Sequence, residues 1–142
     1  MLFLEITGHK ARRRRCESVV TWFVGKYFPK HKLDITVHHR GLLREGVYGW
    51  INVEDCDHRP RAFLIEVHNM MDLESYTKTI LHELQHMHQH IRGDLRDKGA
   101  KRLWRGLDCT EMDYENLPWE IEASIMESSL YLMYLTETGQ SE

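Results

Sequence analysis

Apolar and polar residues follow two rhythms along this chain. Between residues 32 and 38, Leu33, Ile35 and Val37 fall on one side and Asp34, Thr36 and His38 on the other, the period of a half-buried strand. Residues 62–68, with Phe63, Leu64, Ile65 and Val67, make a more continuous apolar run that suits a central strand. A weaker run at residues 47–53 precedes it, and the intervening Asp55-Cys56-Asp57-His58-Arg59-Pro60 is rich in turn formers, so the two runs predict a β-hairpin. Gly46 and Gly49 weaken its first strand and mark a bulge or a close backbone approach. Residues 2–6 predict one further, weak strand.

The second rhythm is helical. Cys16, Val19, Val20, Phe23, Val24 and Tyr27 keep the helical period across residues 9–28, and Pro29 stops the run. Leu73, Ile80, Leu84, Met87 and Ile91 keep it across residues 73–91, with Asp72 placed to cap the start, Glu74 in the first turn and Gly93 at the end. Residues 94–117 hold charges, Gly99, Gly106 and two apolar islands, Leu103-Trp104 and Leu107, with no sustained period. They read as a long loop of the functional kind, anchored by Trp104. A last helix opens near Asn116, takes Pro118 in its first turn and runs to about Leu135, with Trp119, Ala123, Met126, Leu130 and Met133 as its buried stripe. These elements predict an α+β fold: an amino-terminal helix on a small, mostly antiparallel sheet, the 73–91 helix beneath it and the last helix closing the arrangement.

Composition narrows the class. A length of 142 residues with 42% hydrophobic content suits one domain spanning residues 1–142. The apolar start is too short for a signal segment, and arginines follow it instead of preceding it. No later stretch approaches membrane-spanning length. Cys16, Cys56 and Cys109 are isolated and odd in number, which argues against a disulfide framework and for a cytoplasmic protein. The net charge of −3 conceals a polarity: residues 1–45 carry 10 Lys and Arg against 4 Asp and Glu, whereas residues 106–142 carry 9 acids and no Lys or Arg. Arg12, Arg13, Arg14 and Arg15 point all round a helix, so they are expected to pack or pair within the fold, with nucleic-acid contact as the alternative.

Candidate chemistry centres on His82-Glu83-Leu84-Gln85-His86, an H-E-x-x-H pattern. On a helix, residues four apart share a face, so both imidazoles can converge on one zinc ion. Tetrahedral zinc then needs one more protein ligand and leaves a position for water, whose proton Glu83 is placed to take. With 10 His and 14 Glu in the chain, chance produces the pattern at roughly 0.07, so context must decide. Gln89 and Arg92 stand where an H-x-x-G-x-x-H continuation would need glycine and histidine. His90 lies roughly 12 Å along the axis from His82 and reads, like His88, as a surface histidine. The remaining ligand is a glutamate of Trp119-Glu120-Ile121-Glu122-Ala123. Measured from Ala123 on a helical wheel, Glu120 lies about 60° from the buried centre and Glu122 about 100°, which favours Glu120.

His82-Glu83-x-x-His86 followed by Glu120-x-Glu122-Ala123 resembles the gluzincin metallopeptidases, most closely the short minigluzincin-like or zincin-like peptidases of phages and bacteria. The resemblance spans roughly residues 10–137 in the order of elements. It implies a zincin-like fold, zinc held by His82, His86 and Glu120, Glu83 as general base and acid, and Tyr114 as a hydrogen-bond donor to the oxyanion. Many relatives carry Asp or Asn after the alanine to orient a motif histidine; Ser124 stands here, and Glu127, one turn on, is the substitute. His9, His31, His38, His39, His58 and His68 lack motif spacing and are expected at the surface or in turns, with the cleft open to any one of them as an oxyanion donor. The expected function is a zinc-dependent endopeptidase acting on a peptide or protein, with the 47–53 edge as the peptide's docking strand. Alternatives are a zinc-bound but proteolytically idle binding or regulatory module, a zinc amidase acting on a small molecule, or a protease recruited to nucleic acid by its arginines.

Overall fold

The computed structural model describes residues 1–140. Strand β1 (Leu2–Thr7) leads through a 3₁₀ turn into helix α1 (Arg13–Tyr27), and the chain then returns as β2 (Leu33–Arg40). A helix between two strands brings the chain back to the end where it began, so β1 and β2 pair in parallel, Leu4 beside Ile35 and Ile6 beside Val37. Strands β3 (Gly49–Val53) and β4 (Ala62–His68) form the expected antiparallel hairpin, and β4 lies parallel to β2. The order is β1-β2-β4-β3, with β4 inside the sheet and β3 at its edge.

The fold is thus α+β, but the expected mostly antiparallel sheet is corrected: two of its three pairings are parallel. Alternation of apolar residues is the same in either direction. Direction follows from the connections, and the α1 crossover decides it. Strand β3 is also shorter than residues 47–53, although the Tyr48 carbonyl still accepts from the His68 amide at 2.8 Å.

Helix α2 (Leu73–Arg92) has the expected ends. The Asp72 carboxylate accepts from the Ser75 amide at 2.8 Å, Lys78 pairs with Glu74 one turn earlier at 2.9 Å, and Gly93 closes the helix. Ile80, Leu81, Leu84 and Met87 are fully buried against Val19, Val20 and Phe23 of α1 and Ile35, Val37, Phe63 and Ile65 of the sheet. Each such side chain contributes about 1.5–3 kcal/mol relative to an exposed one. Helix α3 (Pro118–Thr138) adds Leu130, Tyr131 and Tyr134 to this core. Of its expected stripe, Trp119, Ala123 and Leu130 are buried, whereas Met126 and Met133 are half-buried. No helix among the described residues is long and apolar enough to cross a membrane.

Residues 94–117 are not a structureless loop. They form an antiparallel meander of β5 (Leu95–Lys98), β6 (Lys101–Trp104) and β7 (Leu107–Asp108), followed by a 3₁₀ turn at Tyr114–Asn116. The registers pair Lys98 with Lys101 and Trp104 with Leu107, leaving Gly99-Ala100 and Arg105-Gly106 as two-residue hairpin turns. The strands are too short to show a period, so the glycine spacing was the only signal. Trp104 packs near Trp119 in a second small core with Leu95, Cys109 and Leu117, the anchor expected of it.

The arginine run is largely spent inside the fold. Arg12 donates to the Met71 carbonyl at 2.9 Å, Arg13 to the Ile6 carbonyl at 3.0 Å and Arg15 to the Thr77 hydroxyl at 3.1 Å. The acidic carboxyl end meets α1 through Lys26 and Glu137 at 2.9 Å. Four histidines expected at the surface are instead withdrawn from it. His39 bridges the Thr7 carbonyl and the Tyr76 hydroxyl, His68 accepts from the Leu42 amide, His88 packs among Phe23, Tyr27 and Phe28, and His90 is only 5% exposed.

Gly8, between β1 and α1, has φ +94° and lies against the His39 backbone, so a Cβ there would overlap the His39 carbonyl oxygen. Gly8→Ala should therefore cost at least about 2 kcal/mol in urea unfolding, from a disfavoured backbone and a clash together. A loss below about 0.5 kcal/mol, the range of ordinary surface substitutions, would contradict this packing of the crossover.

Candidate metal centre

Helix α2 is buried by the sheet on one side and α3 on the other, so its polar residues meet α3 away from bulk water. Four-residue spacing puts His82 and His86 on that face, with ring centroids 4.8 Å apart. Pro118 opens α3 and presents Glu120 in its first turn, between the two rings. Glu120 Oε1 lies 3.0 Å from His82 Nε2, and Oε2 lies 3.1 Å from His86 Nε2. One ligand atom from each of the three residues lies within 4.8 Å of the others, an arrangement that could hold a metal ion. The other sequence candidate, Glu122, turns away and accepts from Gln85 at 2.9 Å and Gln89 at 3.0 Å, with Arg92 at 3.5 Å.

Charge supports the same grouping. Burial opposes a positive His82, but the hydrogen-bonded Glu120 and Glu127 carboxylates outweigh it and raise its pKa to about 10. Glu120 is itself desolvated, yet the two imidazoles pull it well below the usual carboxylate range. A buried carboxylate is costly unless a cation compensates it. Two imidazole nitrogens and a carboxylate facing one point are a donor set that fits a divalent metal in the cation's place.

Around these three lie the groups that orient them. His82 Nδ1 faces Glu127 Oε2 at 3.4 Å, the contact expected to replace the residue at Ser124. His86 Nδ1 faces Gln89 Oε1 at 2.8 Å. In the sequence Gln89 marks only an absent glycine, although it lies three residues beyond His86 on the same face. His90, one turn beyond His86 and expected at the surface, instead lines the cleft, and burial pushes its pKa down to about 4.

Glu83 is 5% exposed and opens onto a cleft between β3, α2, the meander and the start of α3. Burial raises its pKa to about 7, the range in which a carboxylate can take and return a proton near neutral pH. The cleft has a volume of about 260 Å³, with Gly49 to Asn52 on one wall and His90, Leu95, Arg102 and Trp119 on the other. Val47, Gly49, His82, Glu83 and Tyr114 are shared with an adjoining cavity of about 510 Å³ that reaches Tyr48, Thr79 and Glu127. Tyr114 stands at this junction and donates to Glu120 Oε1 at 3.0 Å; burial and the neighbouring carboxylates raise its phenol to about 12, so it remains a donor. None of the six histidines outside α2 lines either cavity. Gly49 does make a close approach, but to α2: a Cβ there would lie 2.9 Å from Thr79 Cγ2 and 3.3 Å from Glu83 Oε2.

In competition titrations, Glu122→Gln should weaken metal binding by no more than the ~10- to 100-fold typical of a residue behind a ligand, and Glu120→Gln should exceed that loss. Equal losses, or a larger loss at Glu122, would reverse the assignment.

Comparison with protein-family models, with curated proteins and with solved structures finds no match to this chain, so the reading of the site rests on its own geometry.

Proposed function

We propose that this chain is a zinc-dependent endopeptidase of the zincin-like, gluzincin type. The observation that carries the proposal is the convergence of His82, His86 and Glu120 beside a buried Glu83 that opens onto the same cleft. Two imidazoles and one carboxylate suit zinc among the common biological metals, and three protein ligands leave one position open. Bound there, zinc supplies the Lewis acidity that polarises a peptide carbonyl and acidifies a water.

The chain's own groups do the rest. Glu83 accepts the proton that the attacking water loses as its oxygen bonds to the carbonyl carbon. It then returns that proton to the departing amine nitrogen as the C–N bond breaks. Tyr114, kept protonated, is placed to turn its hydroxyl from Glu120 towards the oxyanion. Strand β3 is the sheet edge on the cleft side, so its backbone can pair with an extended peptide laid across the site. Gly49 lies close to Glu83, so a side chain added there would disturb the general base as well as the peptide's path.

Glu83→Gln keeps the shape of the side chain and removes the base. Zinc content and thermal stability should stay near wild type, while peptide turnover falls by ~10²- to 10⁴-fold. A zinc-loaded wild-type protein that cleaves nothing in a broad peptide library, with a cellular role that survives Glu83→Gln, would instead favour the idle binding module.

A further inference from the structure

Gln89 is fully buried in α2, one turn beyond His86, and its carboxamide is satisfied on both sides. Its amide nitrogen donates to the Trp119 carbonyl at 3.0 Å and to Glu122 Oε1 at 3.0 Å. Both partners are acceptors only, so they settle which end of the carboxamide is nitrogen. The oxygen is left facing His86 Nδ1 at 2.8 Å, and a carboxamide oxygen can only accept. His86 must therefore carry a proton on Nδ1, which reserves Nε2 for whatever sits between it and Glu120.

The anchors matter as much as the contact. Trp119 immediately precedes Glu120, and Glu122 follows it by two residues. One buried side chain thus holds the orientation of a ligand on α2 and the first turn of α3 that carries another. We infer that Gln89 is a positioning residue of the metal centre: braced by Trp119 and Glu122, it fixes His86 as the Nδ1–H tautomer and presents Nε2 to the ion. Glu122 serves the centre through Gln89. The inference rests on the metal-binding part of the proposed function and is independent of peptide cleavage.

Two substitutions separate positioning from mere packing. Gln89→Met fills the space but offers His86 no acceptor. Gln89→Glu keeps the acceptor, loses both donations and places a second carboxylate beside Glu122, so it should destabilise the metal-free protein more than Gln89→Met does. Zinc affinity should run the other way. In competition with a chromophoric chelator, Gln89→Met should lose ~10- to 100-fold, and Gln89→Glu should bind zinc more tightly than Gln89→Met despite its lower urea midpoint. Affinities that follow the urea midpoints, or a Gln89→Met variant that binds zinc like wild type, would overturn the inference. Long-range ¹H–¹⁵N spectra of the zinc-loaded wild type supply a test without substitution: His86 should show a protonated Nδ1 and a metal-shifted Nε2, and the reverse pattern refutes the assignment. A wild-type protein that takes up no zinc or cobalt removes the metal centre itself, whereas normal uptake with an unaltered Gln89→Met removes only the role of Gln89.

Discussion

A half-buried carboxylate held between two helices is the constraint on which this structure turns. Glu120 enters the α2–α3 interface in the first turn of α3, where burial works against its charge, and His82, His86 and the Tyr114 hydroxyl reach it with compensating groups. Such a group persists in a protein interior when its partners are held in place around it. The elements flanking α2 and α3 supply that holding. The sheet and α1 clamp the apolar face of α2 through Ile80, Leu84 and Met87, and the meander packs Leu95 and Cys109 against Trp119 beside Glu120. The candidate centre thus lies between two apolar cores, the larger holding α2 together with the later turns of α3 and the smaller holding the start of α3.

The topology also decides what lies next to that centre. Because α1 forces β1 and β2 into parallel pairing and β4 joins on the far side of β2, the hairpin partner β3 is left at the edge, over α2. An unpaired edge is ordinarily a liability that proteins shorten or cover. Here it is short and forms one wall of the cleft, opposite the meander. Gly49 sits where edge and helix approach closely, and the missing side chain leaves room for Glu83 between them.

Much of this was readable in the residues themselves. The α2 pattern carried its own caps, and four-residue spacing alone put His82 and His86 together. The wheel separated Glu120 from Glu122 because distance from an apolar stripe measures burial directly. Other features depended on information that periodicity does not hold. Strand direction comes from connections, so the parallel pairing was misjudged. Strands of two to four residues are too short to alternate visibly, so the meander read as a loop. His39, His68, His88 and His90 were expected at the surface because histidine is ambivalent; their burial depends on acceptors and aromatic rings that only the tertiary fold supplies. Gln89 shows the same limit in the candidate site: its face was known, but the role inferred for it required the Trp119 carbonyl and Glu122, brought from thirty or more residues away.

His82, His86 and Glu120 are inferred to hold one ion. The most direct measurement is a crystal structure of the zinc-soaked protein with anomalous diffraction recorded on both sides of the zinc edge. A single strong peak is expected between the two Nε2 atoms and the Glu120 carboxylate, at about 2.0–2.2 Å from each donor. A peak centred on Glu122 or Glu127 without Glu120, or no peak above noise at a zinc concentration that saturates binding in solution, would contradict it.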